Sequence, residues 1–198
     1  MYTVIDIETT GGSPKSDRIT EIAIFVFDGE KIIDQFVSLV NPEKTLEPFI
    51  TRLTGITNEM LVGAPKFYEI AKQIVEITDN RIFVAHNANF DYNFIKTEFA
   101  NLGFDFKRQT VDTVRLARIL IPGRRSYSLG NICADLGIPI NGRHRAAGDA
   151  EATTKLFEIL LNLDGKKKPL ISEMAALKFD GMNPDFNLDI IKNLPEKT

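Results

Sequence analysis

Residues Tyr2–Gly12 read YTVIDIETTGG, and the two halves of this stretch obey different rules. Tyr2 to Ile7 is rich in β-branched residues, and Gly11, Gly12, Ser13 and Pro14 break the chain behind it, which predicts a strand followed by a turn. Alternate side chains on a strand share a face, so Asp6 and Glu8 project together from the end of an otherwise apolar element. Burying two like charges side by side is unfavourable unless a cation lies between them. Such a pair alone is equally compatible with a solvated edge or a salt bridge, and the rest of the chain has to decide.

Working outward, Ile19 to Phe27, Asp28-Gly29 and Lys31 to Val40 predict two further strands joined by a tight hairpin, because Asp-Gly suits the positive φ values of such turns. The period then changes. After Pro65, expected at a first helical position, Phe67, Ile70, Ala71, Ile74 and Val75 have the spacing of a helix buried on one face. Arg81 to Ala85 predicts a short strand, and Phe90, Phe94, Ile95, Phe99 and Leu102 a helix that ends near Gly103. Thr110 and Val111 lead into a helix through Leu120; Leu129, Ile132, Cys133 and Leu136 mark another, stopped by Gly137. The last strong helix spans about Ala146 to Leu163. An antiparallel start followed by alternating strands and helices predicts an α/β fold with a sheet of mixed direction and helices on both faces.

The chain has 198 residues, 43% of them apolar, which suits one domain with a substantial core. We expect that domain to occupy residues 1–165, with 166–198 as a C-terminal extension. Lys166, Lys167, Lys168 and Pro169 resemble a hinge or exposed turn, and Leu194 to Thr198 end without a helix stop, as a linker to a second domain would. The single cysteine, Cys133, cannot form an internal disulfide, and the first residues lack a signal-peptide pattern, so a cytoplasmic location is expected. No apolar stretch approaches the ~20 residues of a membrane-spanning helix. The net charge of −3 conceals an uneven distribution: Lys107, Arg108, Arg115, Arg118, Arg124, Arg125, Arg143 and Arg145 fall in a stretch whose only acids are Asp112 and Asp135. A polyanion responds to local potential, so a mildly acidic protein can hold a phosphate backbone on one basic face.

Two further clusters give the first acidic pair its meaning. His86 to Asp91 reads HNANFD, where a short strand passes into a helix, and His144 to Ala150 reads HRAAGDA, just ahead of the last strong helix. Asp91 alone would also suit a helix N-terminus for purely structural reasons. Five helical residues rotate by ~500°, leaving His144 and Asp149 about 140° apart, so the histidine belongs on a loop and Asp149 in the first helical turn. A loop can bring a histidine over a site and withdraw it.

Together, DIET at Asp6–Thr9, HNANFD and HRAAGDA resemble, in order and separation, the three motifs of the DEDDh 3′-to-5′ exonuclease superfamily over about residues 1 to 163. LTGIT at Leu53–Thr57 and the opening IDIETTGG look most like the proofreading subunits and domains of bacterial DNA polymerase III. The resemblance implies a ribonuclease H-like fold, with Asp6, Glu8, Asp91 and Asp149 binding two Mg²⁺ or Mn²⁺ ions and His144 as general base. Asp6 would bridge the ions, and Asp91 could act through water. Hard oxygen ligands suit such ions, and a pair ~3.5–4 Å apart can stabilise both the attacking and the leaving oxygen of an in-line displacement at phosphorus. His86 belongs to a motif but not to the catalytic five, and a buried hydrogen-bonding role is expected for it.

By the same resemblance, the backbone around Thr9 and Thr10 would face the terminal 3′ hydroxyl, Ile56 would wedge against the terminal bases, and Asn87 and Phe90 would line the cleft. For Ile56 and Phe90, packing inside the fold is an equal alternative. The expected partner is a single-stranded or frayed DNA 3′ end, with RNA ends as the nearest rival and a DNA polymerase subunit as a candidate protein partner. A non-catalytic binding module is the rival of another class; it would have no physical reason to gather four mutually repelling carboxylates.

Overall fold

The computed structural model describes residues 1–165 and 168–176. Its centre is a five-stranded sheet in the order β3-β2-β1-β4-β5, built from β1 (Tyr2–Thr9), β2 (Ile19–Phe27), β3 (Ile32–Leu39), β4 (Ile82–Ala85) and β5 (Thr110–Asp112). The first three strands form the expected antiparallel meander, while β4 lies parallel to β1, and β5 parallel to β4. Chain connections from β1 therefore run one way to β2 and β3 and the other way to β4 and β5. Such a reversal leaves a crevice at the strand ends.

Helices cover both faces. On one, α3 (Phe67–Thr78) and α4 (Asn89–Asn101) pack Ile70, Ile74, Phe94 and Phe99 onto Ile5, Ile7, Ile22 and Ile24. On the other, α5 (Thr113–Leu120), α6 (Leu129–Leu136), α7 (Ala146–Leu163) and α8 (Pro169–Ala176) enclose Tyr2, Val4, Phe27 and Val84. Two short helices, α1 (Pro48–Thr54) and α2 (Asn58–Val62), sit outside this sandwich over a small cluster of Leu46, Ile50, Ile56 and Leu61. Ile171, Met174 and Ala175 of α8 are buried in the same core as α7. Of the expected hinge, Lys168 precedes α8 and Pro169 opens it, while Lys166 and Lys167, and the tail from residue 177, lie outside the described residues.

Two local expectations need correction. Pro65 precedes α3 instead of opening it: its carbonyl accepts the Asn41 N–H at 2.8 Å, outside the helix, and Lys66 behind it is extended. The Lys66 N–H is then taken by Glu69 Oε2 at 2.8 Å, so the helix starts at Phe67. Thr110–Asp112 is a strand of its own, three residues long and too short to leave a periodic signature.

Candidate active site

The even-numbered residues of β1 face α7. Tyr2 and Val4 are buried in its core, and the next two on that face are Asp6 and Glu8. Asp149 arrives in the first turn of α7. The helix can approach closely because small residues meet at the contact: Ala146 and Ala150 lie on Ala23 and Phe25 of β2. Gly148 completes this, since a Cβ there would collide with the carbonyl oxygens of Asn141 and Gly142. Asp6, Glu8 and Asp149 each bring a carboxylate oxygen within 4.8 Å of the others.

Asp91 stands beside this trio. β4 pairs with β1 only as far as Val4, so the Ile7 N–H has no strand partner on that side and donates instead to Asp91 Oδ1 at 3.2 Å. Asp91 is 4% exposed and is the strongest charged neighbour of Asp6. Burial, reinforced by mutual repulsion, pushes Asp6 well above the usual carboxylate range. For the same reasons Glu8 is raised to about 7, whereas burial lifts Asp91 to about 8 against the hydrogen bonds that favour its charged form. Asp149 is also raised by burial, while the His144 N–H and the His144 and Arg143 side chains pull it back. Four acids whose charged forms the fold disfavours make a site that a divalent cation would relieve. Asp149 Oδ1 is buried without a hydrogen-bond partner, as a ligand atom awaiting an ion would be. The donor set fits hard, oxygen-preferring cations.

His144 lies on the loop before α7 with φ 60°, a left-handed conformation that non-glycine residues rarely adopt. Its N–H donates to Asp149 Oδ2 at 3.1 Å, so the loop is tied to the acid cluster through its backbone. His86 points elsewhere. Its Nδ1 is 2.9 Å from Thr113 Oγ1 and its Nε2 is 2.8 Å from the Tyr127 carbonyl, which only a ring N–H can satisfy. Burial lowers its pKa, and its role is to tie β4 to the α5–α6 region.

The sequence profile of the RNase T exonuclease family matches residues 3–157. The chain belongs to this family. It is 38% identical over 179 residues to the 3′-5′ exonuclease DinG of Bacillus subtilis, covering 89% of this chain and 19% of that protein. It is 42% identical over 197 residues to the PolC-type DNA polymerase III of Clostridium perfringens, covering 98% of this chain and 13% of the polymerase. The chain thus spans a fifth or less of these curated relatives. Among solved structures, exonuclease X in complex with 5′ overhanging duplex DNA superposes with a TM-score of 0.72 at 26% identity, covering 88% of this chain and 99% of that one. The nuclease domain of 3′hExo, a DEDDh family member bound to rAMP, shares the fold at a TM-score of 0.72 and 20% identity, over 83% of this chain and 92% of that one.

The exonuclease fold treats the expected substrate contacts unequally. Thr9 and Thr10 are buried, with the Thr9 hydroxyl donating to the Gly11 carbonyl at 2.6 Å and the Thr10 hydroxyl 3.3 Å from Asp17. The Thr10 N–H is already spent on the Arg18 carbonyl at 2.9 Å. Asn87 is exposed at φ 69°, its N–H held by Asp112 Oδ1 at 3.2 Å. Phe90 is partly buried, its ring 4.9 Å from that of Phe94. Ile56, expected to wedge against terminal bases, has no exposed surface at all: it fills the cluster beneath α1 and α2.

The basic stretch is also narrower than its composition implies. Arg108 is structural, its Nε donating to the Thr78 carbonyl at 2.9 Å and its guanidinium 4.7 Å from the Phe106 ring. Lys107 pairs with Asp105, Arg124 lies 3.6 Å from Asp135, and Arg145 pairs with Glu21. Glu21 escaped the sequence reading altogether. Its signal was a lone acid in the otherwise apolar-and-threonine strand ITEIAIFVF, which the β1–β2 register sets directly opposite Glu8.

Proposed function

We propose that this chain is the catalytic unit of a 3′-to-5′ exonuclease that removes nucleotides singly from DNA 3′ ends, of proofreading or repair type. Asp6, Glu8, Asp91 and Asp149 would hold two divalent cations, Mg²⁺ or Mn²⁺, and His144 would be the general base. One observation carries the reading: carboxylates from β1 and from the first turn of α7 converge within 4.8 Å beside a buried, unpartnered Asp149 oxygen. Asp6, Glu8 and Asp149 would hold the ions directly, and Asp91, fixed to the sheet by the Ile7 N–H, would act through water. When bound, the cations would supply positive charge to the attacking and leaving oxygens at phosphorus.

The chain's own groups do the rest. The His144 imidazole would take the proton from the attacking water, its backbone tether keeping it beside Asp149. Asn87 and the partly exposed Phe90 would border the strand being cut. DNA is favoured as substrate because the curated relatives are named as a DNA polymerase and an exonuclease and the solved exonuclease X holds a DNA duplex with an overhang. The polymerase-type relatives also make a DNA polymerase a reasonable assembly partner.

The test is hydrolysis of matched single-stranded DNA and RNA oligonucleotides, labelled at the 5′ end, with Mg²⁺, with Mn²⁺ and with a chelator. A ladder shortening from the 3′ end of DNA, abolished by chelation, is expected. Internal cuts, or no cleavage with either ion, would overturn the proposal; faster loss of RNA would reassign the substrate.

A further inference from the structure

We propose that Glu21 and Arg145 are positioning residues of the exonuclease reaction: a clasp between β2 and the start of α7 that fixes His144 in place. The inference rests on the exonuclease reading, and its geometry lies wholly in the protein. Glu21 is 3% exposed, a carboxylate in a strand whose other side chains are apolar or threonine. Such a group is stable only when its oxygens are satisfied. Arg145 Nε donates to both Glu21 oxygens at 3.1 and 3.2 Å, Arg145 Nη2 donates at 2.6 Å, and the Ala146 N–H donates at 2.8 Å. This fork accounts for the carboxylate, and it separates Glu21 from the neighbouring acids, which lack comparable partners. Glu21 sits opposite Glu8 in the β1–β2 register, so the anchor point belongs to the same rigid sheet that carries the acids.

The clasp seizes the two residues that follow His144 in sequence. Upstream, the carbonyls of Asn141 and Gly142 press onto the bare Cα of Gly148. Between these two anchors His144 adopts its left-handed φ of 60° and donates its N–H to Asp149. A strained backbone persists only where its surroundings over-determine it, and Glu21 with Arg145 is the largest set of bonds that does so here. Arg145 is therefore committed to the protein and is not a phosphate contact, unlike what its place in a basic stretch suggests.

Glu21→Gln replaces one acceptor oxygen with a donor facing the guanidinium, and Arg145→Met removes the fork while keeping the bulk. Either change is expected to lower kcat by ~10–100-fold, the scale on which a misplaced catalytic group acts, with KM changed less than about threefold. In a His144→Ala background the same changes should add less than about twofold, since a clasp has nothing left to position. In the metal-free protein, trypsin should cut after Arg143 at least ~10-fold faster in either variant than in the parent, a readout that needs no activity. A KM rise at constant kcat would make Arg145 a substrate contact and overturn the proposal, as would full additivity with His144→Ala. Unchanged trypsin cleavage would overturn the clasp whatever the kinetics. An inactive parent with accelerated cleavage in the variants would instead sink the exonuclease reading and, with it, the positioning role.

Discussion

Asp91 and Asp149 reach Asp6 from the first turns of two helices, but they are held by different parts of the molecule. Asp91 is moored to the sheet: an otherwise unpaired N–H of β1 donates to it, and it is almost wholly buried. Asp149 is moored to a loop, through the N–H of a residue in a strained conformation, and its second oxygen is left without a partner. The α4 side of the site is therefore part of the scaffold, while the α7 side is assembled by contacts that the loop and β2 must supply. Stability and chemistry should separate along this line.

The largest expected effects are on turnover. Asp149→Asn and Asp6→Ala should reduce DNA hydrolysis to background while leaving a cooperative thermal transition, as measured by oligonucleotide assay and calorimetry. Retained activity in either would remove the acid cluster from the mechanism. His144→Ala is expected to slow the chemical step by ~10²–10⁴-fold, read in single turnover with saturating Mg²⁺. An unchanged rate would leave the loop without a catalytic purpose.

Next in size is the coupling of pH and metal to stability. The acids bind protons more tightly in the folded protein than the ~4 typical of an unfolded chain, with Glu8 at about 7 and Asp91 at about 8. The native state then holds the extra protons between those limits, so stability in chelator should fall as pH rises from about 4 to about 8. Divalent metal should reverse this. At ~100 times its dissociation constant a bound ion adds about 2.7 kcal/mol, or ~5–10 °C in Tm for a chain of this size, and the gain should be greater at pH 8 than at pH 5.5. A Tm in chelator that is flat or rising over that range would show that the acids are not held neutral by the fold.

The smallest effect separates the two aspartates most sharply. Asp91→Ala would leave the Ile7 N–H buried and unpaired, costing ~1–3 kcal/mol, whereas Asp91→Asn keeps an acceptor and should fold almost as well. At Asp149 that gap should close: Asp149→Ala frees only the N–H of half-buried His144 and removes an oxygen that had no partner, so in chelator the Asn and Ala variants should melt close together. Equal behaviour at both positions would erase the distinction between scaffold and loop.

Much of this was legible in the chain. Period-2 alternation in YTVIDIET placed Asp6 and Glu8 on one face, and the helix expected over Ala146 to Leu163 is α7 with the same limits. What escaped has a common cause. β5 is three residues long, Pro65 is turned out of α3 by a carbonyl bonded to distant Asn41, and Arg108 is drawn inside by Thr78 and Phe106. The clasp joins Glu21 to a residue 124 positions away. Local pattern carries the identity of an element, and none of these partnerships is local. Ile56 was left open between a wedge at the terminal bases and the interior of the fold, and the structure has it inside, in a small core with Leu46, Ile50 and Leu61.

Asp91 has its place beside β1 because β4 is short. Its pairing with β1 stops at Val4, and β4 itself ends at Ala85 while β1 runs on to Thr9, like a fork with one tine cut short. Adding two residues to the end of β4 would zip the fork shut, hand the Ile7 amide to a neighbouring strand and evict Asp91 from its berth. A longer and more regular sheet would be the better building material and would leave the fourth acid without a place beside the other three.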